Sequence, residues 1–198
     1  MRVFELVNDN KVILTIKDIA RILSVSEESA KVSAVRYVKN NLLFRLKKDV
    51  YITPQNFNNL AENKLFEVAN LLQVPSYISL TTALSFYDLT TQQLRGVFES
   101  IGLKRSKRIV VKKFEFLFFL VKKSFYTGFI LKDGFFIATP EKALADAVYL
   151  TSISKYSVDF DAVNFSKLEL NRVDEFITLS KNKKAKNYWE KLCKSYNL

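Results

Sequence analysis

Apolar residues recur at helical spacing in two adjacent segments near the start of the chain. Ile16, Ile19, Ala20 and Leu23 keep the i, i+3, i+4, i+7 spacing of a short amphipathic helix. Over residues 26–40, a rotation of about 100° per residue separates two faces. The predicted packing face holds Ala30, Ala34, Val35, Tyr37 and Val38, and the predicted free face holds Ser29, Val32, Ser33, Arg36 and Asn40. Short hydroxyls, a valine and one long cation suit a face that enters a groove such as the DNA major groove.

The ends of these two helices are marked by capping residues. Thr15, with Asp18 three residues later, is typical of an N-cap with a reciprocal acid. Ser24 and Val25 form the predicted turn, and Ser26 is placed to cap the second helix. Small residues in both helices, Ala20 and Ala30, would let them cross closely. The pattern predicts a helix-turn-helix.

Two short strand patterns follow the second helix. Residues 42–46 and 50–53 are rich in β-forming residues, and Lys47, Lys48 and Asp49 join them. The result is a predicted hairpin with a basic tip. A helix over residues 1–8 would close the core, and residues 10–14 would lead into the helix pair. Pro54 begins a polar, turn-prone stretch, so residues 1–56 are predicted to form a winged helix-turn-helix domain.

Residues 57–198 alternate between helical and strand patterns. Helices are predicted over 63–73, over 80–87 after an N-capping Ser79, over 140–150 after an N-capping Thr139, and twice within 158–198. Strands are predicted over 97–101, 108–121, 125–131 and 135–138, with a tight turn at Lys132–Gly134. The prediction is an α+β protein whose second domain is larger, with a mixed α/β arrangement, a small, mostly antiparallel sheet and C-terminal helices.

One carboxylate interrupts the apolar face of the 140–150 helix. Asp146 lies among Ala143, Leu144 and Ala147, near the edge of that face. A buried carboxylate needs a partner, and a lysine or arginine of the sheet is the expected one. Asp146, Glu141 and Lys142 could act as an acid and base set, but no nucleophile or metal cluster accompanies them. The chain is therefore not expected to be an enzyme.

The charge of the chain is strongly positive and is unevenly distributed along the sequence. The net charge is +11, and residues 101–125 contain eight Lys or Arg against Glu115 alone. A basic surface favours a polyanionic partner because binding releases counterions. A second basic patch is therefore predicted from Lys104, Arg105, Lys107, Arg108, Lys112 and Lys113. Nucleic acid and an acidic protein both remain open as its partner.

The composition also excludes several classes of function. The chain has no histidine and only one cysteine, Cys193, which excludes Ser–His catalysis, the usual zinc sites and an internal disulfide. No glycine-rich phosphate loop precedes a Lys-Ser or Lys-Thr pair. Residues 1–10 lack the apolar run of a signal peptide, and the apolar run 114–121 is too short to span a membrane. The expectation is a cytoplasmic protein without a cofactor or a membrane partner.

Two segments together resemble a known family. Residues 75–87 (PSYISLTTALSFY) and residues 138–146 (ATPEKALAD) look like the two most characteristic motifs of the AbiEi antitoxins, regulators from bacterial type IV toxin-antitoxin and phage abortive-infection loci. Their order, their spacing and the N-terminal winged helix agree with that family. The resemblance covers nearly the whole chain and is weaker after residue 150.

The resemblance implies a repressor and antitoxin. Its N-terminal domain would bind inverted repeats in the promoter of its own operon, and residues 57–198 would counter a nucleotidyltransferase-like toxin without a tight complex. One departure concerns the wing, where the family often has Arg-Gly before the aromatic strand and this chain has Lys48 and Asp49.

The expected DNA-binding residues lie on the second helix and on the hairpin. Arg36 would read a base and Val32 would contact a thymine methyl. The backbone contacts would come from Ser29, Ser33, Lys39 and the lysines of the hairpin. The full set is Ser26, Ser29, Val32, Ser33, Arg36, Lys39, Asn40, Arg45, Lys47 and Lys48. The alternative is an interaction module that binds RNA or an acidic protein through the basic 101–125 segment.

Overall fold

The chain folds as a mixed α+β protein with two compact units. In the computed structural model, which describes residues 2–9 and 11–198, these units are Met1–Leu65 and Phe66–Leu198. The first contains a three-stranded sheet and the second a six-stranded sheet. The predicted boundary near residue 56 lies upstream of this division. Met1 and Asn10, which begin two of the predicted segments, lie outside the described residues.

The helices that lie wholly within the first unit are α1 (Val3–Val7), α2 (Ile16–Leu23), α3 (Glu27–Lys39) and α4 (Pro54–Asn58). All but α1 begin at a capping side chain. Thr15 and Asp18 form the predicted reciprocal cap of α2, and the Ser26 side chain accepts a hydrogen bond from the Ser29 N–H at the start of α3. These side chains satisfy N–H groups that the first helical turn cannot pair internally. The predicted α2 and α3 are confirmed.

Three antiparallel strands complete the first unit. They are β1 (Ile13–Thr15), β2 (Phe44–Lys47) and β3 (Val50–Ile52), in the order β1-β3-β2. The β2–β3 hairpin agrees with the prediction. Strand β1 had been predicted only as a lead into α2, because three residues are too few to show a period.

The core of the first unit is apolar and draws on every helix from α1 to α3. Leu6, Leu14, Ile19, Ala30 and Tyr37 are among its buried residues. Not all of α1 contributes to it. Phe4, an apolar residue of the predicted first helix, leaves 68% of its surface exposed.

The six-stranded sheet of the second unit is mixed. Its strands are β4 (Ser76–Ile78), β5 (Val97–Gly102), β6 (Lys107–Val111), β7 (Phe114–Leu120), β8 (Phe129–Lys132) and β9 (Phe135–Ala138). Their order is β6-β7-β5-β4-β9-β8, in which β5 pairs with β7 and β4 with β9 in parallel, and the other neighbours are antiparallel. The sheet is larger than predicted because β4 joins its centre, and it is less antiparallel because both β5–β7 and β4–β9 are parallel pairs.

Five further helices belong wholly or in part to the second unit in the described chain. They are α5 (Glu62–Leu72), α6 (Leu80–Phe86), α7 (Pro140–Ser152), α8 (Leu170–Leu179) and α9 (Lys183–Tyr196). Thr139 caps α7 through the Lys142 N–H, as predicted, and Pro140 occupies the first turn. Ser79 precedes α6 without capping it, which corrects the prediction for that residue.

Aromatic rings fill much of the second core. The Phe66 ring meets the rings of Phe86, Phe98 and Phe135 edge to face, at centroid distances of 5.8, 5.9 and 5.1 Å. Helix α7 is buried on all sides from Glu141 to Leu150. No helix in the described part of the chain has the length and apolar character needed to cross a membrane.

Candidate nucleic-acid interface

Helices α2 and α3 are joined by a tight turn. Ser24 takes a left-handed conformation with φ 50°, and the Val25 N–H donates to the Ala20 carbonyl over 3.0 Å. Ala20 and Ala30 are both buried, as close packing of the two helices requires. A left-handed serine is strained relative to glycine. The turn is nevertheless fixed by its backbone hydrogen bonds, so α3 has a defined direction relative to α2.

Helix α3 has the predicted free face, with one correction. Ala30, Ala34 and Tyr37 are buried, and Val38 is half-buried. Val35, predicted to pack, is 64% exposed. At 3.6 residues per turn it lies on the side away from the three buried residues, so the predicted packing face was drawn too wide.

The exposed face of α3 combines apolar and hydrogen-bonding side chains. Val32 is 71% exposed and stands one helical turn from Val35. Ser33 is half-buried at the edge of the face. The remaining predicted residues of α3 and its cap are exposed: Ser26, Ser29, Arg36, Lys39 and Asn40. Val32 and Val35 therefore form a small exposed apolar area next to side chains that can donate hydrogen bonds.

Arg36 is exposed, and its guanidinium packs on the ring of the neighbouring Tyr37. Its guanidinium carbon lies 5.6 Å from the centroid of the buried Tyr37 ring. This cation–π contact favours one orientation of the side chain. A guanidinium presents five N–H donors in a planar fork, which suits two parallel hydrogen bonds to one partner. Glu27 and Glu28 lie in the first turn, where they stabilise the helix dipole.

The predicted cations of the β2–β3 hairpin differ from one another in exposure and in their contacts. Lys48 is exposed at the two-residue tip, next to Asp49, whose φ is 58°. Lys47 is half-buried, and the Arg45 Nε donates to the Lys47 carbonyl over 3.3 Å. The Asp49 carbonyl accepts from the Ile16 N–H over 3.2 Å, which ties the tip to the start of α2. Lys48 is therefore the cation best placed to meet a phosphate.

The predicted second basic patch does not form one surface. Lys107 extends from one face of the sheet, where its Nζ donates to the Leu72 carbonyl over 3.3 Å and lies 5.3 Å from the Phe118 centroid. Arg108 extends from the opposite face and pairs with Glu115 at 2.6 Å. Lys104 and Arg105 precede β6, whereas Lys112 and Lys113 form the β6–β7 turn. A strand reverses side-chain direction at each residue, which splits a basic run in this way.

The two motif segments of the second unit meet in a buried polar cluster. Asp146 is fully buried and pairs with Lys142, one turn earlier on α7, and not with a cation of the sheet as predicted. Its Oδ2 accepts from the Ser79 hydroxyl over 2.7 Å and from the Tyr77 hydroxyl over 3.0 Å. The Lys142 Nζ lies 3.4 Å from the Phe125 centroid. The i, i+4 spacing of Lys142 and Asp146 was the sequence signal for this pair.

Burial changes the proton affinities within this cluster. It lowers the pKa of Lys142 and raises the pKa of Asp146, while each charge opposes the shift of the other. Burial and the adjacent Asp146 raise the pKa of Tyr77 well above its usual value. All four polar side chains are engaged with one another or with rings, so the cluster holds α7 against the segment that contains β4.

A second buried carboxylate was missed at the sequence level. Glu99 on β5 accepts from the Tyr156 hydroxyl over 2.9 Å and from the Thr82 N–H over 3.3 Å. Burial raises the pKa of Glu99 to about 7, and these hydrogen bonds oppose the rise only in part. Its partners come from positions 17 and 57 residues away in sequence. A glutamate within an apolar strand was the one signal available.

Comparison with known proteins gives no further guide to this arrangement. No protein-family model matches the sequence, and no curated protein matches it.

Proposed function

We propose that the first unit is a winged helix-turn-helix and that the chain is a sequence-specific DNA-binding repressor and antitoxin. The observation that carries the DNA-binding part is the free face of α3, where Val32, Val35 and Arg36 are exposed together. A helix of about 10–12 Å diameter fits a major groove about 12 Å wide. α3 is accordingly the recognition helix of this proposal.

Three side chains of α3 would contact the bases. The Arg36 fork would donate to O6 and N7 of a guanine, the commonest specific contact in the major groove. Val32 and Val35 would pack on thymine methyl groups, for which exposed valines one turn apart are suited. The position of Arg36 over Tyr37 favours this use, because less side-chain entropy is lost on binding.

Backbone contacts would fix the register of α3 in the groove. Ser26, Ser29 and Lys39 lie on the exposed part of α3 and can donate to phosphates. Lys48 would add a phosphate contact from the hairpin, and the Ile16–Asp49 hydrogen bond holds that tip near the start of α2. Asp49 takes the left-handed backbone that glycine would favour, so the tip keeps its turn without the family's Arg-Gly pair.

The antitoxin part of the proposal is supported by the resemblance of two segments to the AbiEi family. Tyr77 and Ser79 come from the first segment, and Lys142 and Asp146 from the second. All four meet in one buried cluster, so the two segments belong to a single structural element of the second unit. We propose that this unit counters a nucleotidyltransferase-like toxin encoded nearby, without a tight complex.

The DNA-binding part can be tested by fluorescence anisotropy with the full chain. The probes are a duplex from its own upstream region, a scrambled duplex and a single-stranded RNA, at about 50 and 200 mM salt, where phosphate contacts weaken binding most visibly. We expect tight upstream binding that persists at the higher salt. Equal and salt-sensitive binding to all three probes would contradict sequence-specific repression and favour an interaction module.

The antitoxin part needs a separate test in cells. The chain is expressed together with a nucleotidyltransferase from the adjacent reading frame, and growth is recorded. We expect restored growth both for the wild type and for Arg36→Ala, since neutralisation belongs to the second unit. Growth arrest that the wild-type chain does not relieve would contradict the antitoxin role while leaving the repressor role intact.

A further inference from the structure

Two pairs of cations lie in neighbouring loops at one end of the six-stranded sheet. Lys104 and Arg105 follow β5, and Lys122 and Lys123 follow β7. Because β5 and β7 are parallel neighbours, their carboxyl ends lie side by side, with Gly102 opposite Leu120. We propose that this group, here termed the strand-end basic surface, binds the sugar-phosphate backbone of a nucleic acid, independently of α3.

The two loops that carry these cations are fixed to one another. The Leu120 N–H donates to the Ser106 hydroxyl over 2.9 Å, and the Val121 N–H donates to the Gly102 carbonyl over 3.2 Å. These bonds join the segment after β5 to the end of β7. Neighbouring strands lie about 4.8 Å apart, so the two pairs of cations start from adjacent positions.

Each loop is also held in place by a hydrogen bond from a buried residue. The buried Gln73 side chain donates to the Arg105 carbonyl over 3.2 Å. On the other side, Phe125 is fully buried and its N–H donates to the Lys122 carbonyl over 2.9 Å. The backbones are therefore ordered before any ligand arrives, which lowers the entropic cost of binding.

The charges of the strand-end basic surface are uncompensated. Lys104, Arg105, Lys122 and Lys123 are exposed, and within residues 2–9 and 11–198 none of them forms an ion pair. Glu115 is the only acid in the 101–125 segment, and it pairs with Arg108. Four like charges held together repel one another and favour a polyanion that neutralises them.

The chemistry around the cations favours phosphate over an acidic protein. Ser106 and Ser124 add exposed hydroxyls, which commonly donate to phosphate oxygens. Leu120, at 40% exposure, and Val74, at 54%, are large exposed apolar side chains at this end of the sheet, and the four cations outnumber them. A protein interface usually requires an apolar centre, whereas backbone binding to nucleic acid does not.

The test compares two double variants of the full chain by anisotropy. Lys122→Ala/Lys123→Ala removes two charges from the strand-end basic surface. Lys112→Ala/Lys113→Ala removes two from the β6–β7 turn, at the other end of β7 and about 20 Å away at 3.3 Å per residue. Both double variants are made in the Arg36→Ala background, so that nucleic-acid binding by α3 is weakened in each. The probes are single-stranded RNA, duplex RNA and scrambled duplex DNA, which distinguish the sources of the phosphate backbone.

We expect Lys122→Ala/Lys123→Ala to weaken binding of at least one probe about tenfold or more. It should also reduce the slope of log K against log salt by about 1.4 for a single strand, at about 0.7 for each lost phosphate contact. The control should change the slope by less than half as much. Urea unfolding should be the same for both variants, since all four lysines are on the surface.

Two results would overturn this proposal. Equal losses in the two variants would mean that only net charge matters, and tighter binding of labelled polyglutamate than of any nucleic acid would identify an acidic protein as the partner. Neither result bears on the α3 proposal, because upstream-duplex specificity is measured separately with an intact Arg36.

Discussion

Helices α3 and α7 carry similar residues in opposite surroundings. Both are 13 residues long and contain alanines, valines and charged side chains. In α3 the cations Arg36 and Lys39 lie in solvent, whereas in α7 Lys142 and Asp146 are fully buried and paired. A cation left in solvent beside exposed valines is available to a ligand. A buried cation instead specifies how the core packs.

The largest expected effect is that of a substitution at Asp146, in the buried helix α7. Asp146→Ala would leave the Lys142 ammonium buried without its carboxylate, and we expect a loss of about 3–5 kcal/mol in the free energy of unfolding. Urea denaturation followed by Trp189 fluorescence measures this loss, and Glu175→Ala on the surface of α8 is the control. Lys142→Met/Asp146→Leu should cost much less, because it removes both charges. A loss below about 1 kcal/mol for Asp146→Ala would show that the pair is not integral to the core.

Glu99 tests the same contrast through pH. Its folded pKa of about 7 exceeds the ordinary 4.5, so the native state binds its proton more tightly than the unfolded state does. This contribution to stability is complete below about pH 4.5 and is lost as pH rises through 7. Glu99→Gln, which mimics the protonated acid, should equal the wild type at pH 4 and exceed it by about 3 kcal/mol at pH 8.

Urea unfolding of wild type and Glu99→Gln across pH 4–8 measures this difference. Glu175→Gln, at an exposed position, should follow the wild-type curve. Parallel curves for wild type and Glu99→Gln would contradict a carboxyl group that takes up its proton on folding.

On the exposed side of the comparison, Lys48 should act by charge alone. Lys48→Ala is expected to weaken binding to all duplexes alike and to lower the salt slope by about 1. Anisotropy at several salt concentrations measures both quantities. Lys155→Ala removes the same charge from an exposed site in the second unit and should leave the slope unchanged. A Lys48→Ala effect confined to the upstream duplex would assign Lys48 to base reading instead.

The smallest expected effect concerns the turn that directs α3. Ser24→Gly should raise stability by about 0.5–1 kcal/mol, because glycine relieves the left-handed strain at φ 50°. Ser26→Ala, two residues later, should lower stability by about 1 kcal/mol through loss of the α3 cap. Far-UV circular dichroism in urea compares the two. A destabilising Ser24→Gly would mean that the serine side chain supports the turn.

The sequence predicted the structural features that depend on residues close to one another along the chain. The caps at Thr15, Ser26 and Thr139 are formed as expected, because a capping side chain acts within three residues of its own position. The tight turn before β9 is also confirmed, with left-handed Asp133 and Gly134 between paired Lys132 and Phe135. For the same reason, the sequence identified α3 as the helix with a free face.

Contacts between distant parts of the chain could not be predicted in this way. The parallel β4–β9 pair joins Ile78 to Ile137 and makes the sheet mixed. The burial of Glu99 depends on Tyr156, and the strand-end basic surface depends on the parallel pairing of β5 and β7. Charge counting along the sequence grouped Lys107 with Arg108, which the alternation of side chains in β6 separates.

The free face of α3 is proposed to read a DNA sequence, and Arg36→Ala removes the side chain that is proposed to contact a guanine. Wild type and variant are titrated with the upstream and scrambled duplexes at one salt concentration, with Arg172→Ala of α8 as the charge-matched control. We expect Arg36→Ala to weaken upstream binding by about 1–3 kcal/mol more than scrambled binding, which relaxes specificity. Equal losses on both duplexes would contradict base reading by Arg36.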